Sequence, residues 1–418
     1  MVIASTAALV LTALAGTDEV RNEPLALLAA KAVTCASGAS DLPAVVDNAV
    51  VLVRDGRIER VARRADVEIP DGYRIVDHGD RWLMPGMVDL HCHIGGSGDI
   101  NDMVYQANPG LRVMTAVQPN NERFQVALAA GVTTVLFIPG SGTAVGGQGI
   151  LLKTAPDLFE DAVVRQPGSL KTAQGNNPKS HLEGCGPALY NWHIRDILGR
   201  GRAYARAWQA FEDGAGPEPT RDIQLDVFRA LFAGEAQVSA HTQQHYVVQE
   251  TLRLQVREFG IPTFLDHGSM DAFRGAEYVE AEDVPAILGP RSASWQSKGR
   301  GFDHDGRMMG MAAEYQKRGH TRIGFNTDSP VIPQETLQLQ AGMAARYGLD
   351  DSGLATVRGL TIVPAEAAGI DHRVGSLEPG KDADVLVLTG HPADPRTWVE
   401  RVYVEGRAAY ESEEARLW

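Results

Sequence analysis

Strand-like and helix-like runs alternate along the middle of the chain, from about residue 82 to residue 369. Residues 132–138 (VTTVLFI) are apolar and β-branched, as in a buried strand, whereas residues 122–130 and 335–347 have the apolar spacing of amphipathic helices. Repeated strand–helix alternation over this length predicts a parallel sheet that closes on itself. The predicted fold class is therefore α/β, with a TIM (β/α)8 barrel over residues 83–369.

Both ends of the chain have a different sequence pattern, in which short strand-like runs alternate with tight turns. AVVLV at residues 49–53 is followed by an Asp-Gly pair, and DVLVL at residues 384–388 precedes a second such turn, of sequence Glu-Gly. Turn pairs of this kind are typical of β-hairpins. Two β-rich ends that flank a long middle predict one small β-sandwich domain, built from residues 25–82 and 370–412 together.

The first 16 residues, MVIASTAALVLTALAG, form an apolar run that ends in Ala-Leu-Ala. This pattern fits a cleavable signal peptide, although no Lys or Arg precedes the run, and a first strand or a frayed leader is the alternative. We expect an exported protein, periplasmic or secreted, with a cytoplasmic one as the alternative. The fold prediction leaves these residues out.

Composition and charge limit the classes of partner. The 418 residues carry a formal net charge of -14, which argues against the clustered Lys and Arg of a nucleic-acid surface. No apolar stretch reaches the roughly 18 residues that a membrane span needs. Three scattered cysteines, Cys35, Cys92 and Cys185, suit neither a disulfide framework nor a thiolate zinc site. The expected partner is a small-molecule substrate, with no nucleic acid and no membrane, and a homo-oligomer stays open.

The strongest chemical signal is the string MVDLHCH at residues 87–93. Successive side chains of a strand point to opposite faces, so His91 and His93 project to one side and Cys92 to the other. At the carboxyl end of a strand, this spacing lets two imidazoles reach one metal ion. A His-x-His pair is weak by itself, and two ordinary histidines are the alternative.

Three further candidates, His241, His267 and Asp328, end later strand-like runs. The spacing suits one strand–helix unit between the two histidines and about two units from there to Asp328. These residues would then lie on strands five, six and eight of a barrel that begins with the strand of His91. Each alone has an ordinary core or surface role as its alternative. Together they indicate a site, because TIM-barrel active sites gather at the carboxyl ends of the strands.

These motifs resemble those of the amidohydrolase superfamily. The resemblance rests on LMPGMVDLHCH at 83–93, AH at 240–241, DHG at 266–268, TDSP at 327–330 and GSLEPGKDADVLVL at 375–388. Three segments are similar to the imidazolonepropionase-like and prolidase-like branch: VGGQGILLKT at 145–154, SLKTAQGNNPK at 169–179 and TDSPVIPQE at 327–335. The resemblance covers nearly the whole chain after the leader.

The resemblance implies a site with two divalent metal ions, Zn²⁺ being the expected metal. The ligands that it implies are His91, His93 and Asp328 for the more buried ion, and His241 and His267 for the second. In binuclear members a lysine at the end of strand four, carboxylated by carbon dioxide, bridges the two ions. Lys171 occupies that position here, in Lys-Thr-Ala-Gln-Gly, and Lys153, which also ends an apolar run, is the alternative.

The implied activity is hydrolysis of a carbon–nitrogen bond by metal-activated water, in a small N-acyl amino acid, dipeptide or cyclic amide. Asp328 would take the proton of the water and pass it to the leaving nitrogen, which makes it the predicted catalytic residue. The first alternative is a mononuclear deaminase or imidazolone-type ring hydrolase. That branch has another His or Glu shortly after strand six, where this chain offers Asp271. The second alternative is a barrel that binds a ligand without catalysis.

Overall fold

A computed structural model describes residues 23–38, 40–98, 100–181, 186–290, 292–294 and 308–414 of the chain. The predicted leader at residues 1–16 lies outside the described residues, so export stays a prediction. The described residues divide into two units, one made from the two ends of the chain and one from residues 87–371. None of the helices in the described ranges is both long and apolar enough to cross a membrane.

The strands of the described residues range from 2 to 11 residues in length. In chain order they are β1 (Leu25–Val33), β2 (Val45–Arg54), β3 (Arg57–Arg63), β4 (Arg74–Asp77), β5 (Trp82–Pro85), β6 (Met87–Cys92), β7 (Val132–Phe137), β8 (Val145–Lys153), β9 (Val163–Ala173), β10 (Val238–Thr242), β11 (Thr263–His267), β12 (Ala286–Leu288), β13 (Ala293–Ser294), β14 (Met309–Gly310), β15 (Ile323–Phe325), β16 (Val385–Leu388), β17 (Val399–Val404) and β18 (Arg407–Glu411).

The α-helices of the described residues belong to the unit of residues 87–371. They are α1 (Glu122–Ala129), α2 (Phe159–Ala162), α3 (Asn176–His181), α4 (Pro187–Glu212), α5 (Val227–Phe232), α6 (His245–Thr251), α7 (Ala276–Ala281), α8 (Met311–Lys317), α9 (Leu337–Arg346), α10 (Ala355–Leu360) and α11 (Ile362–Ala367). A π-helix follows α6 directly, and a short 3-10 turn, Gln334–Thr336, precedes α9.

The unit made from the chain ends is a single eight-stranded sheet in the order β18-β17-β16-β5-β1-β2-β3, with β4 beside β1. The two ends of the chain join where β16 pairs antiparallel with β5. Neighbouring side chains of β1 belong to different cores: Leu27 packs with Val51, whereas Leu28 packs with Val50. Burial on both faces explains the apolar run at residues 25–30 of β1. The two-layer sandwich stays a prediction, since hydrogen bonds join all of these strands into one sheet.

The second unit contains an eight-stranded sheet in the order β15-β12-β11-β10-β9-β8-β7-β6. Its outer strands come together through the loop that follows β15. The Asp328 N–H donates to the His91 carbonyl at 3.0 Å, and the His93 N–H donates to the Ser329 carbonyl at 2.7 Å. The sheet is therefore a nearly closed barrel, and the carboxyl ends of β6, β9, β10 and β11 point toward the same mouth.

One strand of the barrel runs against the predicted parallel direction. β8 pairs antiparallel with both β7 and β9, whereas the other barrel pairs are parallel. Only the short stretch 138–144 connects β7 to β8. Parallel strands need a crossover of a dozen or more residues, whereas a short turn can join antiparallel ones. The prediction of an all-parallel barrel is wrong at β8 for this reason.

The connection from β9 to β10, residues 174–237, contains the long helix α4. Tyr190, Ile194, Leu198 and Gly201 are buried at helical spacing along one face of α4. A Cβ added at Gly201 would lie 2.2 Å from the ring of Phe228 in α5. The two helices thus approach each other at a point where no side chain fits.

Candidate metal centre

Two histidines lie at the mouth end of β6. His91 belongs to the strand and is fully buried, and His93 follows its last residue. Between them, the Cys92 thiol turns away and donates to the Leu136 carbonyl at 3.6 Å. The period-two alternation of a strand therefore brings both imidazoles to one side, with their ring centroids 5.2 Å apart.

The Asp328 carboxylate lies between these two imidazoles. Its Oδ1 is 3.2 Å from the Nε2 atom of His91 and 3.2 Å from the Nε2 atom of His93. One ligand atom of each residue lies within 4.8 Å of the others, a spacing that a single metal ion could occupy. Burial alone would raise the pKa of Asp328, but the two imidazoles outweigh it and lower that pKa well below its usual range.

His241 and His267 lie at the mouth ends of the neighbouring strands β10 and β11. Their ring centroids are 4.2 Å apart, and the His267 ring is 4.3 Å from the His91 ring. Each Nδ1 atom already has a partner: the Ser141 hydroxyl at 2.8 Å for His241, and the Gly289 carbonyl at 3.0 Å for His267. These bonds orient the rings and leave the Nε2 atoms available.

Among the described residues, three buried imidazole nitrogens of this cluster lack a hydrogen bond of ordinary geometry: the Nε2 atoms of His91, His241 and His267, although Oδ1 of Asp328 lies 3.2 Å from that of His91. Buried polar atoms are ordinarily hydrogen-bonded, so three orphans in contacting rings are a notable exception. Burial lowers the pKa of His241, and it lowers that of His267 to about 4. Both rings are therefore neutral near pH 7, the form that binds metals. The residues present fit one or two metal ions.

Lys171, at the mouth end of β9, is the lysine that the structure brings to this cluster. Its buried Nζ atom is 3.4 Å from Nδ1 of His91 and 3.3 Å from Oδ2 of Asp266. Lys153 is also buried, but it ends the antiparallel strand β8 and pairs with Thr134 near the start of β7. The direction of β8 thus places Lys153 at the opposite end of the barrel from the histidines.

Asp266 is a residue of the site that the sequence prediction missed. Its fully buried carboxylate contacts Nδ1 of His91 at 2.5 Å and accepts the Ser239 hydroxyl at 2.5 Å. Burial alone would raise its pKa, but His91 and Lys171 lower it below the usual range. The available signal was a lone Asp inside the apolar run Phe-Leu-Asp-His, where a buried charge requires a partner.

A second buried carboxylate, Asp89, lies behind the His-x-His pair and was also missed. It accepts hydrogen bonds from the hydroxyl of Thr327 and the amide of Gln334, each at 2.6 Å. Burial raises the pKa of Asp89 to about 6, although these hydrogen bonds act against the rise. Asp89 therefore connects β6 to the loop that carries Asp328.

Asp271, the residue that the deaminase alternative offers after strand six, has a structural partner. Its Oδ1 accepts the backbone N–H of His245 at 3.0 Å, at the first residue of α6. Carboxylates at helix N-termini satisfy amide groups that lack partners within the helix. Glu335, at the end of the TDSPVIPQE segment, lies exposed in the 3-10 turn Gln334–Thr336.

The sequence profile of the amidohydrolase family matches residues 317–409. Amidohydrolase tasK of Hapsidospora irregularis is 27% identical over 406 residues, and the match covers 86% of this chain but only 40% of that protein. An imidazolonepropionase of Sphingopyxis alaskensis is 25% identical over 386 residues, covering 86% of this chain and 91% of that enzyme.

Solved structures resemble the fold over most of its length. An amidohydrolase from Thermotoga maritima superposes with a TM-score of 0.80 and 28% identity, covering 93% of this chain and 100% of that one. A prolidase crystallised with N-methylphosphonate-L-proline superposes with a TM-score of 0.57 and 18% identity, covering 93% of this chain and 100% of its own. At that identity, the likeness to the prolidase concerns the fold alone.

Proposed function

We propose a metal-dependent amide hydrolase for this chain, which belongs to the amidohydrolase superfamily. Its relatives in sequence include imidazolonepropionases, and its fold resembles that of a prolidase. The resemblance inferred from the sequence motifs is thereby confirmed. This membership supports a hydrolase of carbon–nitrogen bonds. The finer proposal is cleavage of a small N-acyl amino acid, dipeptide or cyclic amide at a site with two Zn²⁺ ions.

The observation that carries the metal site is the cluster of orphaned imidazole nitrogens beside an ionised carboxylate. His91, His93 and Asp328 would hold one ion, and His241 and His267 would hold the other. Neutral imidazole and carboxylate suit Zn²⁺ and similar divalent ions. When bound, two such ions would lower the pKa of a shared water and polarise the carbonyl group of the substrate.

Asp328 is the proposed proton carrier. Its carboxylate is ionised at neutral pH because the flanking imidazoles lower its pKa, and 18% of its side-chain surface is exposed. It can therefore accept one proton from the attacking water. As the carbon–nitrogen bond breaks, the same proton passes to the leaving nitrogen, which departs as an amine.

Lys171 is the proposed bridging ligand, in its carboxylated form. Burial lowers the pKa of its amine and favours the neutral form, which is the nucleophile toward carbon dioxide. Addition of carbon dioxide to Nζ forms an N–C bond and releases one proton. The product is an anion, which suits a site with two dications better than an ammonium group does.

The test is metal content per chain in protein purified without chelator, for wild type, Lys171→Ala and Lys153→Ala. The second variant is a matched control, since it removes a buried lysine from the other end of the same barrel. We expect two ions in wild type and in the control, and one or none in Lys171→Ala. One ion in all three proteins would exclude the bridging lysine, and none in wild type would exclude the metal site.

A second prediction concerns the ion that His241 would hold. The Ser141 hydroxyl fixes the His241 ring, and loss of such a partner typically lowers metal affinity by about 10–100-fold. Ser141→Ala should therefore weaken one of two Co²⁺ binding steps in a chelator-competition titration. Ser169→Ala is the control, since the buried Ser169 hydroxyl has no hydrogen-bond partner among the residues that the structure describes. Equal affinities in the two variants would argue against this assignment.

A mononuclear ring hydrolase of the imidazolonepropionase type is the second candidate. It is favoured by the 25% identity to an imidazolonepropionase over 91% of that enzyme. The buried lysine beside His91 favours the binuclear proposal instead. The metal count in wild type separates the two, because the second candidate requires a single ion.

A further inference from the structure

The seam between the first and last barrel strands is closed by a loop. Among the described residues, β6 and β15 are the two edge strands of the barrel sheet, and they do not pair with each other as strands. Two backbone hydrogen bonds involving Asp328 and Ser329 cross this gap instead. Asp328 itself has a positive φ of 51°, a conformation that non-glycine residues rarely adopt. A candidate ligand therefore lies on a segment that needs support from its surroundings.

The Asp89 carboxylate supplies bonds to both sides of this seam. On the β6 side, its Oδ1 accepts the backbone N–H of His91 at 3.0 Å. On the loop side, its Oδ2 accepts the Thr327 hydroxyl at 2.6 Å, the Thr327 N–H at 3.3 Å and the Gln334 amide at 2.6 Å. One fully buried side chain thus connects the residues on either side of Asp328 to the strand of His91.

Thr327 extends the connection past Asp328. Its hydroxyl donates to Asp89 and accepts the backbone N–H of Ser329 at 3.0 Å. The residues before and after Asp328 are therefore bound through one hydroxyl to one carboxylate. Gln334 fixes the far end of the same loop, where the 3-10 turn leads into α9.

Apolar packing could close a seam without the cost of burying a carboxylate. The four groups that donate to Asp89 are neutral, and three of them belong to the loop that carries Asp328. We propose that Asp89 is a positioning residue for the metal centre, which through Thr327 and Gln334 holds the Asp328 carboxylate against His91 and His93. The inference rests on the proposed function, and it assigns roles to three residues outside the ligand set.

The test compares Co²⁺ affinity, measured by chelator competition and by the visible spectrum of the bound ion, with thermal stability. Thr327→Val and Gln334→Leu remove one donor each at nearly constant volume, and Thr327→Ser keeps the hydroxyl. Gln237→Leu is the matched control, since it removes a buried amide that donates to the Gly168 carbonyl at 2.8 Å away from the seam.

We expect Thr327→Val and Gln334→Leu to weaken Co²⁺ binding by about 10–100-fold, the usual effect of losing an outer partner of a metal ligand. Thr327→Ser should retain wild-type affinity, and Gln237→Leu should lose stability without losing affinity. Equal Co²⁺ affinity and equal spectra in the seam variants and the control would overturn the positioning role alone. A wild-type protein that binds no Co²⁺ would overturn the proposed metal centre and, with it, this inference.

Discussion

Replacing Asp266 by asparagine tests the charge balance of the site without any assumption about substrate. Asp266→Asn keeps the shape of the side chain but removes a fully buried negative charge. That charge lies 3.3 Å from Nζ of Lys171 and 2.5 Å from Nδ1 of His91. Burial lowers the pKa of Lys171, and the Asp266 carboxylate acts against that shift by stabilising the ammonium form. In metal-free protein, the variant removes this opposing charge, so that an ammonium group at Lys171 is buried without its carboxylate partner.

Removal of one partner from a buried ion pair typically costs about 3–5 kcal/mol, whereas replacement of both by uncharged groups is often close to neutral. Asp266→Asn should therefore lower the free energy of unfolding by about 3–5 kcal/mol. Lys171→Met should restore much of that loss in the double variant. The expected coupling free energy is about 2–3 kcal/mol, near the upper end for residues in direct contact.

The assay is urea unfolding of chelator-treated protein, for wild type, both single variants and the double variant, followed by circular dichroism. Chelation matters because a bound ion would stabilise the folded state by mass action. Unfolding free energies that add to within about 0.5 kcal/mol would refute the reasoning, since the two charges would then be independent. A double variant less stable than Asp266→Asn would refute it as well.

Two further predictions concern stability away from the site. A methyl group at Gly201 would lie 2.2 Å from the Phe228 ring, so Gly201→Ala should lower the free energy of unfolding by about 1–3 kcal/mol. Gly199→Ala is the control on the same helix, because its methyl group meets open space and should cost no stability. Equal melting temperatures of the two variants would contradict this prediction. Burial and the Arg401 cation lower the pKa of His78 from 6.5 to about 4. Between these two pH values the unfolded chain binds a proton at His78 that the folded chain does not, so the free energy of unfolding should fall as the pH drops from 6.5 toward 4. His78→Gln should reduce this loss, and an unchanged dependence of stability on pH would contradict the prediction.

The positions of the candidate ligands along the barrel could be predicted because they follow from local rules. Period-two alternation places His91 and His93 on one side, and the order of strand-like runs places His241, His267 and Asp328 near the same mouth. The structure brings these side chains together, and metal binding by them stays a prediction. The predicted strand number of Lys171 agrees with the structure, since Lys171 lies near the end of β9, the fourth strand of the sheet counted from β6.

The direction of β8 and the two buried carboxylates could not be predicted in the same way. An apolar, β-branched run has the same pattern in either direction, and the short gap at 138–144 was the only local signal of a reversal. Asp89 and Asp266 depend on partners such as Gln334 and Lys171, which are distant in the sequence. Such long-range pairs have no periodic pattern that one sequence reveals.

The reversed strand also has a consequence for the order in which the barrel folds. β7, β8 and β9 are neighbours both in the sheet and along the chain, so they can assemble with little loss of chain entropy. The seam, in contrast, joins residues 91–93 to residues 328–329 and must close a loop of most of the unit. We expect pulse-labelled amides of β8 and β9 to gain protection first; simultaneous protection at the seam would contradict this order. Lys171 would then reach its folded position before Asp328 does. Because the proposed site needs both residues, metal binding would be among the last steps of folding.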